Sequence, residues 1–226
     1  MRVNRLTEAE HTRVTEAVRA AEHGTDGEIV TIVTARSDAY HDIALHYAIG
    51  TMLLVVALAA LCPAALEARI AWFSGGWASE PQPGRSFFAL MLIEATVFLI
   101  VRYVLTWRRL RMALTPKATR SRRVRRRAVE YFRVGAERRT VARIGILLYL
   151  SLDERRAEIV ADEAIHGKVA AERWGDAMAA LVDEVRAGRP GEGMAAAVAQ
   201  IGAILAETFP KTETDTNELP DRLIEL

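Results

Sequence analysis

Two groups of side chains in this 226-residue sequence have the type and spacing for metal chemistry. Asp162 and Glu163 follow an apolar run that ends at Ala161. Carboxylates at a strand end, with Asp26 or Asp153 brought near, can hold a hard divalent cation such as calcium through oxygen ligands. Asp38, Asp42 and His46 fall at helical i, i+4, i+8 spacing, and carboxylates with an imidazole on one face suit a transition metal. Each group also has a plainer reading. Asp162 and Glu163 serve as solvated loop carboxylates; Asp38 caps a helix, Asp42 lies near its positive end and His46 lies at a water interface. His166, beside Asp162, reads as a cap or as part of the same group. Hydrolytic chemistry that needs other parts is excluded: the sequence has no Asp-x-Asp nucleophile pair, no cysteine followed by a phosphate loop, no P-loop and no Gly-x-Gly-x-x-Gly.

A third residue stands out by its surroundings. Glu94 lies inside the apolar stretch Phe87 to Trp107, where an ionisable side chain is expensive in lipid. It is either neutral and packed or turned toward a partner helix. Arg102, in the same stretch, can snorkel to the headgroups, with Tyr103 and Trp107 in the interfacial belt. A first apolar stretch, Ile43 to Leu66, contains no Asp, Glu, Lys or Arg. Both are long enough to cross a hydrocarbon core, which takes ~20 helical residues. The spacing thus predicts a transmembrane hairpin, with residues 67–86 as a Gly/Pro-rich turn carrying Trp72, Phe73 and Trp77.

Charge gives this hairpin a direction. The turn holds Glu67, Arg69, Glu80 and Arg85, whereas the segment after the second span carries Arg108, Arg109, Arg111, Lys117, Arg120, Arg122, Arg123, Arg125, Arg126 and Arg127 before Glu130. The positive-inside rule places both termini in the cytoplasm of a multi-pass cell-membrane protein, with a bacterial inner membrane as the expected setting. A basic run also suits nucleic acid, but its place directly after a span favours anionic headgroups on Arg108, Arg109, Arg111, Lys117, Arg120, Arg122 and Arg123. The lone Cys62 lies in the first apolar stretch, so no intramolecular disulfide forms. The charged N-terminus lacks the apolar core of a cleaved signal.

The remaining sequence predicts an α/β domain in two halves. Thr7 and Glu10 form a capping box for a helix closed by Gly24 in a left-handed cap, and Glu28 to Thr34 reads as a buried strand. After the hairpin, Pro116 opens a helix to about Gly135. Ile144 to Leu152 and Glu158 to Ala161 form an antiparallel strand pair, and helices cover about Lys168 to Ala187 and Glu192 to Phe209. Residues 211–226 read as an extended polar tail whose Leu223 and Ile224 dock on the domain. Three strands flanked by four helices make a small sandwich of two or three layers, completed only when residues 1–40 meet residues 115–210.

The segment ARIGILLYLSLDERRAEIVADEAI (residues 142–165) resembles the TPM domain family. The likeness extends to the helix with Trp174, to Ala187-Gly-Arg-Pro-Gly-Glu-Gly193 and to TDGEIVTIV near the start. The resemblance implies a small α/β sandwich. It also implies either an acid phosphatase acting on phosphomonoesters, as reported for a thylakoid lumen member, or an accessory role, as in a photosystem II repair factor and a receptor modulator. It carries over Asp162 as a metal- or phosphate-site carboxylate. Two departures matter: the family's glycine-rich acidic loop reads Ala161-Asp162-Glu163-Ala164-Ile165 here, and family members usually expose the domain on the non-cytoplasmic side. The expectation is therefore a membrane-anchored accessory or regulatory domain that binds another membrane or envelope component, through a membrane protein partner or a homodimer of the transmembrane helices. The alternative is a metal-dependent phosphatase.

Overall fold

The computed structural model describes residues 5–73, 83–135, 144–170, 172–212 and 221–226. In chain order they form α1 (Glu8–Glu22), β1 (Glu28–Thr34), α2 (His41–Leu61), α3 (Pro63–Phe73), α4 (Pro83–Val104), α5 (Arg108–Leu114), α6 (Lys117–Gly135), β2 (Gly145–Ser151), β3 (Arg156–Ala161), α7 (Glu163–His166), α8 (Arg173–Arg186), α9 (Pro190–Thr208) and β4 (Ile224–Glu225). The chain divides into two compact units. One joins Met1–Asp38 to Lys117–Leu226; the other is Ala39–Pro116.

The first unit is built on a mixed sheet in the order β3-β2-β1-β4. β1 runs parallel to β2 from Glu28 opposite Gly145 to Thr34 opposite Ser151, and β2 pairs antiparallel with β3. β1 and β2 are buried throughout, as a parallel pair covered on both faces requires. On one face Ile29, Val33, Ile146, Leu148 and Leu150 meet α1, α8 and α9 through Val14, Val18, Trp174, Leu181, Val198, Ile201 and Leu205. On the other, Val30, Ile32, Leu147 and Tyr149 meet Val124, Ala128 and Phe132 of α6. The sandwich therefore has three layers.

Local chemistry sets these elements. The Thr7 capping box forms as expected: the Glu10 backbone N–H donates to Thr7 Oγ1 at 3.3 Å, and the Thr7 backbone N–H donates to Glu10 Oε2 at 2.8 Å. The other end of α1 differs from expectation. His23, in right-handed conformation, is the cap, and the chain after Gly24 is tied to the end of α9 by the Asp26 N–H and the Thr25 hydroxyl, both on the Phe209 carbonyl. α9 lies close on α1, since a Cβ at Gly202 would stand 2.5 Å from Ala21 Cβ and one at Gly191 would stand 2.5 Å from Glu10 Cβ. The tail docks as an element that sequence periodicity did not show: β4 pairs parallel with β1, and Leu223 is buried. The helix expected from Lys168 begins at Arg173, with α7 as a separate single turn.

In the second unit α2 and α4 pack along one another. At ~1.5 Å per residue they are each a little over ~30 Å long, the thickness of a hydrocarbon core. The first helix stops at Leu61, short of the expected Leu66, because Pro63 disfavours helical backbone at the preceding residue; Cys62 has φ −133° and ψ 62°. The expected turn contains α3, and its Trp77 lies outside the described residues. The second helix begins earlier than expected and ends at Val104, so Trp107 is the N-cap of α5. α2 begins at His41 after Tyr40, so Asp38 neither caps it nor shares its face.

Candidate functional site

The side chains singled out by sequence occupy separate places. Asp162, 6% exposed, stands between β3 and α7, and its Oδ2 accepts the Gly145 backbone N–H at 2.7 Å while its own N–H donates to the Gly145 carbonyl. The carboxylate fastens the start of β2 to the end of β3. Glu163 and His166 are exposed. Among the described residues no group of three or more His, Cys, Asp or Glu side chains is placed to hold a metal ion. Asp162 is thus occupied with the Gly145 backbone, and Glu163 beside it faces outward. Asp38 is held by Arg123 at 3.0 Å and Arg126 at 3.3 Å, while the Asp42 carbonyl lies 2.7 Å from His46 Nδ1.

The basic residues divide as well. Arg109, Lys117 and Arg122 are exposed, whereas Arg108 and Arg120 are half-buried and Arg123 is committed to Asp38. Arg111 does not join the exposed set: it is 7% exposed and donates to the Leu105 carbonyl. Glu94 sits on the less exposed side of α4 with Val97, Phe98 and Val101. Both carboxylate oxygens are shut off from the surface and make no hydrogen bond. Leaving one buried polar group unsatisfied costs about 1–3 kcal/mol.

Two polar clusters were not anticipated. Where β1 and β2 end, Ser37 Oγ lies 2.9 Å from Tyr149 Oη, the Ser37 N–H donates to Glu154 Oε1 at 3.1 Å, the Ser151 hydroxyl donates to Glu154 Oε2 and Arg127 Nε donates to the Ser37 carbonyl. Burial pushes the Tyr149 phenol up to about 12, against the lowering effect of Ser37. The carboxyl ends of parallel strands often bind ligands. Here their polar groups are spent on one another, so the cluster fastens the exit of β1 to the β2–β3 turn.

At the opposite end of β1 lies a pocket of about 210 Å³ lined by Arg19, Glu22, His23, Glu28, Lys211 and Asp221. Glu22 Oε1 accepts the Ile29 N–H at 2.7 Å, and its Oε2 is enclosed without a hydrogen bond. Burial, with the nearby Glu28 and Asp221 carboxylates, raises Glu22 to about 8, so it holds a proton at neutral pH. A carboxyl so displaced in a small pocket is the best-developed titratable site of the first unit. The sequence carried one signal for it: Glu28 opens a buried strand whose other residues are all β-branched.

Comparison with known proteins agrees with this architecture. A family model, the TPM domain, matches residues 105–204. The BA42 protein from the psychrophilic bacterium Bizionia argentinensis sp. nov., solved by NMR, is similar over 98% of this chain and 95% of its own, with a TM-score of 0.55 and 17% identity. That degree of identity speaks to fold alone. No curated protein matches the chain.

Proposed function

From the match of residues 105–204 to the TPM domain we propose that this chain is a membrane-anchored accessory or regulatory module that binds another membrane or envelope component. The observation that carries the reading is the outward apolar surface of α2 and α4. Leu53 is 65% exposed, Leu61 79% and Phe87 72%, the reverse of what the core helix of a water-soluble protein presents. In a bilayer that surface is solvated by lipid. The arginines and Lys117 that follow α4 then favour the cytoplasmic headgroups and set the TPM domain on that side.

Glu94 supports a partner. Its oxygens are served by no group among the described residues, and a donor from a second helix would satisfy them where α2 and α4 part to admit it. The experiment is carbonate extraction followed by pull-down in mild detergent. The chain is expected to stay with the membrane and to bring down a membrane protein or a second copy of itself, lost on Glu94→Leu and kept on Glu94→Gln. Release by carbonate, or isolation alone under gentle conditions, would refute the proposal. Divalent-dependent turnover of a phosphomonoester that Asp162→Ala abolishes would replace it with the hydrolase reading.

A further inference from the structure

Residues 221–226 run along α1 in a fixed register. Arg19 Nε lies 3.3 Å from Asp221 Oδ2, the Leu223 backbone N–H donates to Thr15 Oγ1 at 3.4 Å, and His11 Nε2 lies 2.7 Å from Glu225 Oε2. The α1 residues are four apart and share one face of the helix; the others are two apart and share one side of an extended chain. The lengths agree, since eight helical residues rise ~12 Å and four extended residues ~13 Å. The same segment contains β4, and beyond it the Leu226 N–H donates to the Val33 carbonyl. Leu223 is its one buried residue. The segment is thus held by one apolar side chain, a two-residue strand and an ionic contact at each end.

Both ends are held beside groups that titrate. At the first, Asp221 lines the pocket of Glu22 together with Arg19 and His23 of α1, Glu28 of β1 and Lys211 beyond α9. Burial, with Glu28 and Asp221 facing it, pushes Glu22 up to about 8; once it ionises, carboxylates from α1, β1 and the segment share one pocket of about 210 Å³. Arg19 and Lys211 offset part of that repulsion. At the other end Glu225 holds the His11 imidazole as an ion pair only while the ring is protonated. The two signs agree. Glu22 is raised in the folded chain, so its contribution to the hold is lost as pH rises to about 8, and the contribution of His11, present while the ring is charged, is lost in the same direction.

We propose that residues 221–226 are a pH-released strap, closed on α1 and β1 in acid and let go as Glu22 ionises at one end and His11 loses its proton at the other. Opening uncovers Ile32 and Val33 at the edge of β1, while α1, α6, α8 and α9 still cover the faces of the sheet. The strap lies wholly within the first unit, so it stands apart from the membrane-anchored reading.

The test is hydrogen–deuterium exchange of the full chain in mild detergent, read by mass spectrometry on a peptide covering residues 221–226 and on one covering β2, with intrinsic rates corrected for pH. Protection of residues 221–226 is expected to fall roughly tenfold between about pH 6 and about pH 8.5, the effect of one unit of relief at Glu22, while β2 stays unexchanged over the same times. Glu22→Gln should flatten most of the profile, and Glu22→Gln with His11→Gln all of it, each variant being checked as folded by its protected β2. Exchange of residues 221–226 that ignores pH in the unaltered chain, a slope that survives in the double variant, or β2 exchanging in step with the segment would each overturn the strap.

Discussion

The Glu22 pocket makes a prediction whose sign and size follow from its geometry. Folding moves this carboxyl from 4.5 to about 8, because burial and the facing Glu28 and Asp221 disfavour its charged form. Between those two values the folded chain holds a proton that the unfolded chain has released. Stability therefore falls as pH rises through the window from 4.5 to about 8, is flat below it, and has lost the whole contribution above it. At ~1.4 kcal/mol per unit the upper bound is roughly 5 kcal/mol, and screening of a side chain that is partly open to water reduces this to about 2 kcal/mol. Glu22→Gln keeps an oxygen for the Ile29 N–H and cannot titrate. It should match the unaltered chain near pH 4.5 and exceed it by about 2 kcal/mol at pH 8.5. The assay is urea unfolding of the full chain in mild detergent, followed by Trp174 fluorescence with Trp72, Trp77 and Trp107 changed to Phe; Trp174 is buried in the core of the first unit. Parallel pH profiles for the two chains would refute the assignment.

Other outcomes follow from the packing. Gly202→Val should destabilise the first unit by about 1–3 kcal/mol, because a Cβ there meets Ala21 Cβ at 2.5 Å and Ala21 Cα at 2.9 Å, and Ala21→Gly should recover part of the loss in thermal unfolding. Asp162→Ala should cost about 1–3 kcal/mol by orphaning the Gly145 N–H, Asp162→Asn much less, and added calcium should shift the melting temperature of none of these chains. Deleting residues 223–226 removes buried Leu223 and uncovers the edge of β1. The expected result is a loss of about 2 kcal/mol in thermal unfolding, with concentration-dependent association in light scattering.

What the sequence made legible was whatever depends on neighbours along the chain. The Thr7–Glu10 box, the β-branched run of β1 and the Pro116 helix start are local signals, and the structure has them in place. The misses depend on distant partners. Gly24 reads as a left-handed cap until Phe209 supplies the acceptor that redirects the chain, and nothing near Asp162 in sequence announces the Gly145 N–H, 17 residues away, that its carboxylate accepts. β4 is a two-residue strand, too short to show a period. Glu28 alone hints at the Glu22–Glu28 pocket, because Lys211 and Asp221 reach it from the far end of the chain.

The parallel pairing of β1 with β2 also sets a timetable. About 110 residues separate Thr34 from Gly145, so at ~5–20 residues per second β1 leaves the ribosome on the order of 10 s before its partner exists. During that interval Glu28–Thr34 is a β-branched segment with both edges open, the kind of sequence that aggregates when left unpaired. Synthesis of α2, α3, α4 and α5 falls within the same interval, so β1 stays unpaired until α6 and β2 emerge. Substitutions that slow synthesis between residues 39 and 116 should therefore lower the yield of the folded α/β unit without altering one residue of its core.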